Sequence, residues 1–223
     1  YIHVVEEGGE DPQYVNTVEE VDDRIPEVIR GSEEFVGKVR GLCERYRVFS
    51  RKLRRTPADL TAYRMEVDSE EWEQPKNRGK PRSLGRRKNQ VLKRFIDKLL
   101  DAGVIEESSM AVYHSHAHLV LKGQPTVKEL EEKTLDELVE CYRMVIDSRA
   151  LNRATRRTLE FPMPTVKTLV NDIQSERSEV FSKFDLTKGY WQVELHEDSR
   201  LYTAFMTPEG GYQWVRLSMG LRG

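Results

Sequence analysis

Asp185 sits in the run Phe181–Gln192, FSKFDLTKGYWQ, between Phe184 and Leu186 on an apolar stretch that reads as a strand. A carboxylate in such surroundings costs free energy unless a cation or hydrogen bonds compensate. Metal-assisted phosphoryl transfer uses such groups. Carboxylates on a rigid strand hold two Mg²⁺, which activate a hydroxyl and stabilise a pyrophosphate leaving group. The plainer reading is that Asp185 ends a strand and opens a turn. Residue type alone leaves both open. His114, His116 and His118 alternate along a second predicted strand, so three imidazoles could share one face, which is a zinc pattern. No fourth ligand stands near them in sequence, and ordinary strand histidines or nucleic-acid contacts are the alternative. The seven Lys/Arg between Lys76 and Lys88 could follow a phosphate backbone or form a solvated linker.

Composition narrows the setting. The 223 residues are 33% charged and 38% hydrophobic, with a net charge of -2 that hides an uneven distribution. Residues 1–34 hold eleven Asp/Glu against Arg24 and Arg30, and residues 35–100 hold nineteen Lys/Arg against eight Asp/Glu. An acidic tail ahead of a basic segment raises the question of nucleic acid. Cys43 and Cys141 lie far apart without CxxC spacing, which argues against a disulfide framework and a cysteine-built zinc site. No apolar run approaches the roughly 18–20 residues of a membrane span, and no signal peptide is visible. The expectation is an intracellular protein, in a cytoplasmic particle or the nucleus, not secreted and without a membrane partner. The chain opens on Tyr1 and stops at Gly223 directly after a dense set of motifs, so it is expected to be an excerpt of a longer polypeptide.

The elements that must position these residues follow from periodicity. Residues 1–30 lack it and read as a disordered tail. Phe35, Val39, Leu42, Cys43 and Tyr46 are spaced for a short amphipathic helix. Residues 72–88 are expected to be extended and unpacked. Val91, Leu92, Phe95, Ile96, Leu99 and Leu100 form one helical stripe, with Gly103 placed to cap it. Val112–Leu121 reads as strand, Gln124–Glu140 as one acidic helical stretch, Met144–Ile146 as strand and Pro164–Ile173 as helix. Phe181–Leu186 is expected to be a strand. Thr203–Thr207 and Tyr212–Val215 flank Pro208-Glu209-Gly210-Gly211 as a hairpin. The mixture, with late antiparallel strands, indicates an α+β fold.

The segment FSKFDLTKGYWQVELHEDSRLYTAFMTPEGGYQWVRLSMGL resembles the palm of reverse transcriptases from long-terminal-repeat retrotransposons of the gypsy (Ty3-like) type. Upstream, YRMVIDSRALNRAT (Tyr142–Thr155) resembles that family's fingers motif. VLKRFIDKLLDAGVIEESSM resembles its preceding helix, and Pro162-Met163-Pro164 its step into the palm helix. The motifs keep the family's order from about Gln90 to Gly223. Residues 35–85 resemble the connection between protease and polymerase more weakly.

The resemblance implies a fold, a reaction and a set of roles. The fold would be the fingers and partial palm of a right-hand polymerase, with an antiparallel palm sheet packed on helices. Residues 1–34 would be an acidic tail or linker, 35–85 a basic connecting segment, 86–160 fingers and 161–223 the first part of the palm. The reaction would be RNA-directed DNA synthesis from deoxynucleoside triphosphates on a primed RNA or DNA template, within a polyprotein. Asp185 would be the first metal-binding carboxylate and Leu186 would offer its carbonyl to the second of two Mg²⁺, with Mn²⁺ as a substitute. Gly189 would let the backbone approach the triphosphate, which Arg143 would clamp and Lys122 reach. Tyr190 would lie beneath the incoming sugar, the alternative being a core aromatic. Gln192 would fit the motif or brace the palm strand. Met219 and Gly220 would lie beneath the templating base. Asp147 and Arg149 read as a structural pair.

The departures are specific. Trp191 stands where the family usually has His, Lys188 is a frequent variant of a small polar residue, and Gln124–Glu140 stands where the family has a short glycine turn. The Tyr-x-Asp-Asp motif, which carries the family's other catalytic carboxylates, does not occur in residues 1–223. The rival expectation is therefore a non-catalytic remnant that binds nucleic acid or a partner.

Overall fold

The computed structural model describes residues 32–46, 53–80, 82–156, 162–175 and 186–222. The acidic tail, the basic residues around position 50 and the expected strand Phe181–Asp185 lie outside them. The chain divides into two units. The described residues of the first are 32–46, 162–175 and 186–187, and those of the second are 53–80, 82–156 and 188–222.

The first unit contributes two helices, α1 (Glu33–Tyr46) and, later in the chain, α7 (Val166–Ser175). Both match their expected positions within two residues. Val166, Leu169, Val170 and Ile173 recur at three- and four-residue steps and are all exposed. Leu186 is exposed as well.

The second unit is built around α3 (Arg86–Asp101), preceded by the single-turn α2 (Ser69–Trp72). Five of the six residues in the predicted stripe are buried and Leu100 is half-buried. The stripe serves two cores. Leu92, Ile96 and Leu99 join Val104, Ile105, Leu151, Leu195, Phe205 and Trp214 in the main one. Val91 and Phe95 meet Leu138, Val139 and Tyr142 in a smaller one. The helix stops as expected at Gly103, at φ 61°. The Gly103 N–H donates to Leu100 O at 2.9 Å and the Val104 N–H to Leu99 O at 3.0 Å, a Schellman closure that satisfies two terminal carbonyls.

One five-stranded sheet holds β1 (Ile105–Glu107), β2 (Ser115–Leu121), β3 (Tyr142–Ile146), β4 (Phe205–Thr207) and β5 (Gly210–Trp214) in the order β1-β5-β4-β2-β3. The hairpin β4–β5 thus lies between strands that precede it by about a hundred residues. The fold is α+β as expected, and β1 with β5, β2 with β3 and β4 with β5 pair antiparallel. The exception is β2 with β4, which run parallel at Ser115–Phe205 and His116–Met206. β2 starts three residues and β4 two residues later than expected, Thr203 closing a 3-10 turn in place of opening the strand.

Two further expectations need correction. Residues 72–88 are not unpacked throughout. Trp72 is buried with its ring 6.5 Å from that of Tyr113. The Asn77 amide donates to Trp72 O at 2.7 Å, and Asn77 O accepts from the His114 N–H at 3.0 Å. The stretch 124–140 is not one helix. It breaks at Lys133 into α4 (Val127–Glu132) and α5 (Leu135–Cys141). Each begins with a capping box, Thr126 with Glu129 and Thr134 with Glu137. Two Thr-x-x-Glu signatures eight residues apart stop one helix and start another, because each threonine takes extended backbone to cap the helix after it. α5 then packs on α3 through the smaller core. The Arg87 guanidinium, on α3, donates to the carbonyls of Leu130, Glu131 and Lys133 at the end of α4.

No helix among the described residues is long and apolar enough to cross a membrane. Arg216, 1% exposed, donates through Nη1 to Arg54 O (2.8 Å) and Trp191 O (3.1 Å), and through Nη2 to Arg55 O. Replacing Arg216 by Met would strand three carbonyls that it satisfies. The expected outcome is a loss of about 3 kcal/mol or more in the free energy of unfolding, read by urea denaturation. A loss below about 1 kcal/mol would contradict this role.

Candidate functional site

The candidate site is built on three pieces of the second unit. The first is the turn into α8 (Gly189–Gln192). Its left-handed residue is Lys188, at φ 49° and ψ 47°, one position before the glycine. A non-glycine residue there is strained by roughly 1 kcal/mol. The Lys188 ammonium lies 5.4 Å from the centre of the Trp191 ring, and burial together with Lys98 pushes its pKa down. Trp191 in turn sits 6.3 Å from Trp214. Residue 188 and the departure at position 191 therefore touch each other. Tyr190 is 51% exposed. Of its two expected roles, that of a buried core aromatic does not describe its setting in this unit.

After α8 the chain is fastened on both sides. The Ala58 N–H donates to Gln192 O at 2.7 Å and the Tyr63 N–H to Glu194 O at 2.8 Å. The Leu217 N–H donates to Val193 O at 2.9 Å and the Leu195 N–H to Val215 O at 2.8 Å. These backbone bonds connect Tyr190 rigidly to the segment that carries Met219 and Gly220.

The second piece is that segment. Met219 and Gly220 are exposed, and Gly220 takes φ 84°, where side chains other than glycine are strained. Beneath it lies Asn152 on α6 (Arg149–Ala154). Its Nδ2 donates to Gly220 O at 2.7 Å and its Oδ1 accepts from the Arg222 N–H at 2.9 Å. The Tyr63 hydroxyl donates to Arg222 O at 3.3 Å. Asn152 was not singled out from sequence. Its place in the Leu-Asn step of the fingers motif was the available signal, but which carbonyl it meets, 68 residues on, is not local information.

The third piece is the outer face of the sheet. Arg143 is exposed on β3, opposite Val120 in register and two residues from exposed Val145. His116 and His118 lie on the same face of β2. Burial, then Arg82, lowers the His116 pKa. His114 precedes the strand, is buried, and has its pKa lowered by burial. Among the described residues no group of three or more His, Cys, Asp or Glu is placed to hold a metal ion. Lys122 is half-buried at the base of the α4–α5 insertion, where its N–H donates to Cys141 O at 2.8 Å. It lines a polar depression with Gln124, Glu129, Glu132, Lys133 and Glu137. Asp185 lies outside the described residues.

Asp147 and Arg149 form a two-pronged ion pair, Nε to Oδ1 at 2.8 Å and Nη2 to Oδ2 at 2.6 Å. The Arg149 guanidinium holds the Asp147 carboxyl down to about 2.

Residues 130–223 match the family model described as reverse transcriptase (RNA-dependent DNA polymerase). The putative enzymatic polyprotein of Cassava vein mosaic virus is 34% identical over 131 residues, 57% of this chain and 18% of that polyprotein. The retrovirus-related Pol polyprotein from transposon 297 of Drosophila melanogaster is 32% identical over 127 residues, 57% of this chain and 11% of its own length. Among solved structures, prototype foamy virus protease–reverse transcriptase aligns with a TM-score of 0.57 at 18% identity, over 85% of this chain and 23% of that one. The foamy viral protease–reverse transcriptase in complex with RNA/DNA hybrid gives 0.56 at 16%, over 86% and 23%. Residues 130–223 are thus similar in sequence to the reverse transcriptase domain of Pol polyproteins, and the fold is similar to part of the foamy viral protease–reverse transcriptase. The chain spans about a fifth or less of each of these polyproteins.

The ion pair gives a direct test. A depressed carboxyl stabilises the fold above the ordinary carboxylate pKa, and that contribution is lost as pH falls through about 2. Carbon-detected NMR should find Asp147 near that value, and Arg149→Ala should return it toward 3.8, its ordinary value. An Asp147 titration unmoved by Arg149→Ala would remove the pair as the cause.

Proposed function

We propose that this chain is the fingers and first part of the palm of an RNA-directed DNA polymerase from a gypsy/Ty3-like long-terminal-repeat retroelement. It would work on a primed RNA or DNA template within a larger polyprotein. The observation that carries the reading is which residues the second unit leaves accessible. Within the family-matched stretch, Arg143, Tyr190, Met219 and Gly220 are exposed, while Leu151, Leu195, Phe205 and Trp214 between them build the core. Four of the positions assigned to substrate thus face outward, Gly189 is half-buried, and residues without an assigned role hold the fold.

In this reading the Arg143 guanidinium binds triphosphate oxygens in a fork geometry, which a lysine could not reproduce. Tyr190 presents its ring to the sugar edge and excludes a 2′-hydroxyl by contact. Met219 and Gly220 bring backbone and a flexible apolar side chain against the templating base. The Asp185 carboxylate and the Leu186 carbonyl are hard oxygen donors that suit Mg²⁺ or Mn²⁺. Bound there, the metal supplies Lewis-acid stabilisation of the attacking and leaving oxygens. One carboxylate does not hold two such ions, so the Tyr-x-Asp-Asp carboxylates would have to join it. A non-catalytic nucleic-acid-binding remnant is the second reading. It is favoured by the capped α4–α5 pair, which occupies the tip where Lys122 would reach a triphosphate.

The deciding experiment is primer extension on an RNA template by the polypeptide extended through its downstream coding sequence to include Tyr-x-Asp-Asp. Activity lost in Asp185→Asn is expected, and no activity above that variant would leave the remnant reading. In the active polypeptide, Arg143→Ala should weaken deoxynucleotide use by on the order of 1.5–3 kcal/mol with template affinity retained. Tyr190→Ala should admit ribonucleotides, read as the ratio of kcat/KM for matched deoxy- and ribonucleoside triphosphates. A ratio that stays put in a folded variant would overturn the role given to Tyr190.

A further inference from the structure

We infer that Asn152 is the positioning residue that fixes the Met219–Gly220–Leu221 turn in the shape that takes a single-stranded template, an inference that rests on the reading of that turn as template-facing. Among the described residues the turn is held from one side only: Met219 and Gly220 are exposed, and no described residue covers the turn from above. Gly220 is at φ 84°, and a Cβ built there would meet nothing within 4 Å. The glycine is therefore required by backbone conformation within the protein, and the open space above it is left for something else to approach.

The support comes from below, where Leu221 packs on the main core, the Tyr63 hydroxyl donates to Arg222 O at 3.3 Å, and one side chain engages both peptide groups of the turn. The Asn152 amide spends both of its ends on the turn, donating to Gly220 O at 2.7 Å and accepting from the Arg222 N–H at 2.9 Å. Arg222 reaches back, its Nη1 donating to Asn152 O at 3.3 Å. The two contacts straddle Leu221, so the peptide groups on both sides of it are oriented together. The clamp is itself anchored. Leu151 and Ala154 on α6 are buried, and the Asp68 N–H donates to Ala154 O at 2.8 Å. Only a primary amide of this length offers a donor and an acceptor in one plane at this reach. Aspartate keeps the acceptor and loses the donor, setting a carboxylate against Gly220 O. Glutamine keeps both and displaces them by a methylene. Asn152 touches no substrate in this arrangement and acts through the turn.

The test uses the full 223-residue chain and two labelled probes, a DNA duplex with a single-stranded 5′ template overhang and the same duplex blunt-ended. Fluorescence anisotropy gives the ratio of the two affinities, a readout that a general loss of stability lowers for both probes alike. The wild-type chain should prefer the overhang. Asn152→Asp, Asn152→Gln and Gly220→Ala should each reduce that preference by about three- to ten-fold, the loss of one or two hydrogen bonds, with blunt-duplex affinity changed far less. Asn152→Asp combined with Gly220→Ala should be no worse than the stronger single change, because both act on one turn. Loss of preference in Gly220→Ala but not in either Asn152 variant would overturn the inference and leave the template-facing reading standing. Strictly additive losses would also overturn it. A wild-type chain without overhang preference would overturn the reading of the turn, and the inference with it. Should Asn152→Asp fail to fold by circular dichroism, Asn152→Gln decides.

Discussion

A single buried guanidinium holds the second unit together at the point where three stretches of chain meet. Arg216 follows β5 and is almost wholly enclosed, and its acceptors are the backbone carbonyls of Arg54, Arg55 and Trp191. A charge placed there with neutral partners is costly, which is why burial pushes its pKa down. What it returns is geometry. Carbonyls from a segment near the start of the unit and from α8 are all aimed at one planar group, and no apolar residue could satisfy them. Arg200 repeats the device nearby, donating to Leu195 O and to Glu194 while lying 3.6 Å from Glu106. Tyr190 and the Met219–Gly220 turn are exposed, yet each is one or a few residues from a backbone atom fixed by these arginines or by the ladder between 193–195 and 215–217. These exposed groups are thereby given a rigid base.

The stretch from α4 to α5 shows how a local rule can redirect a global one. Hydrophobic spacing from Val127 to Leu138 is compatible with one helix. The threonine–glutamate pairs at 126/129 and 134/137 override it, because each ties its own first-turn N–H groups to a side chain. The break lets α5 turn its Leu138 and Val139 onto α3, where they join Tyr142 in covering Val91 and Phe95. The insertion is thus part of the core of this chain.

Legibility from sequence followed the range of the interactions. The α3 stripe, its Gly103 cap, the β4–β5 turn and α7 rest on contacts within a few residues, and they were readable. Arg143, Tyr190, Met219 and Gly220 were singled out through motif order, and all four are exposed. What stayed hidden depends on partners far apart in the chain. The parallel pairing of β2 with β4 joins residues about ninety apart, the bonds of Arg216 reach back to residues 54 and 55, and the amide of Asn152 meets Gly220 and Arg222. None of these leaves a periodic trace. Asn77 was hidden for a related reason. Its burial depends on Trp72 and His114, whereas its own neighbours in sequence are charged.

The contact between Lys188 and Trp191 carries a consequence for how such sequences drift. A lysine in left-handed backbone is a poor choice on its own, and a tryptophan in place of a smaller ring fills the space against Trp214. Together they compensate, the ammonium resting over the indole that the second substitution provides. Either residue introduced alone would meet only half of this arrangement.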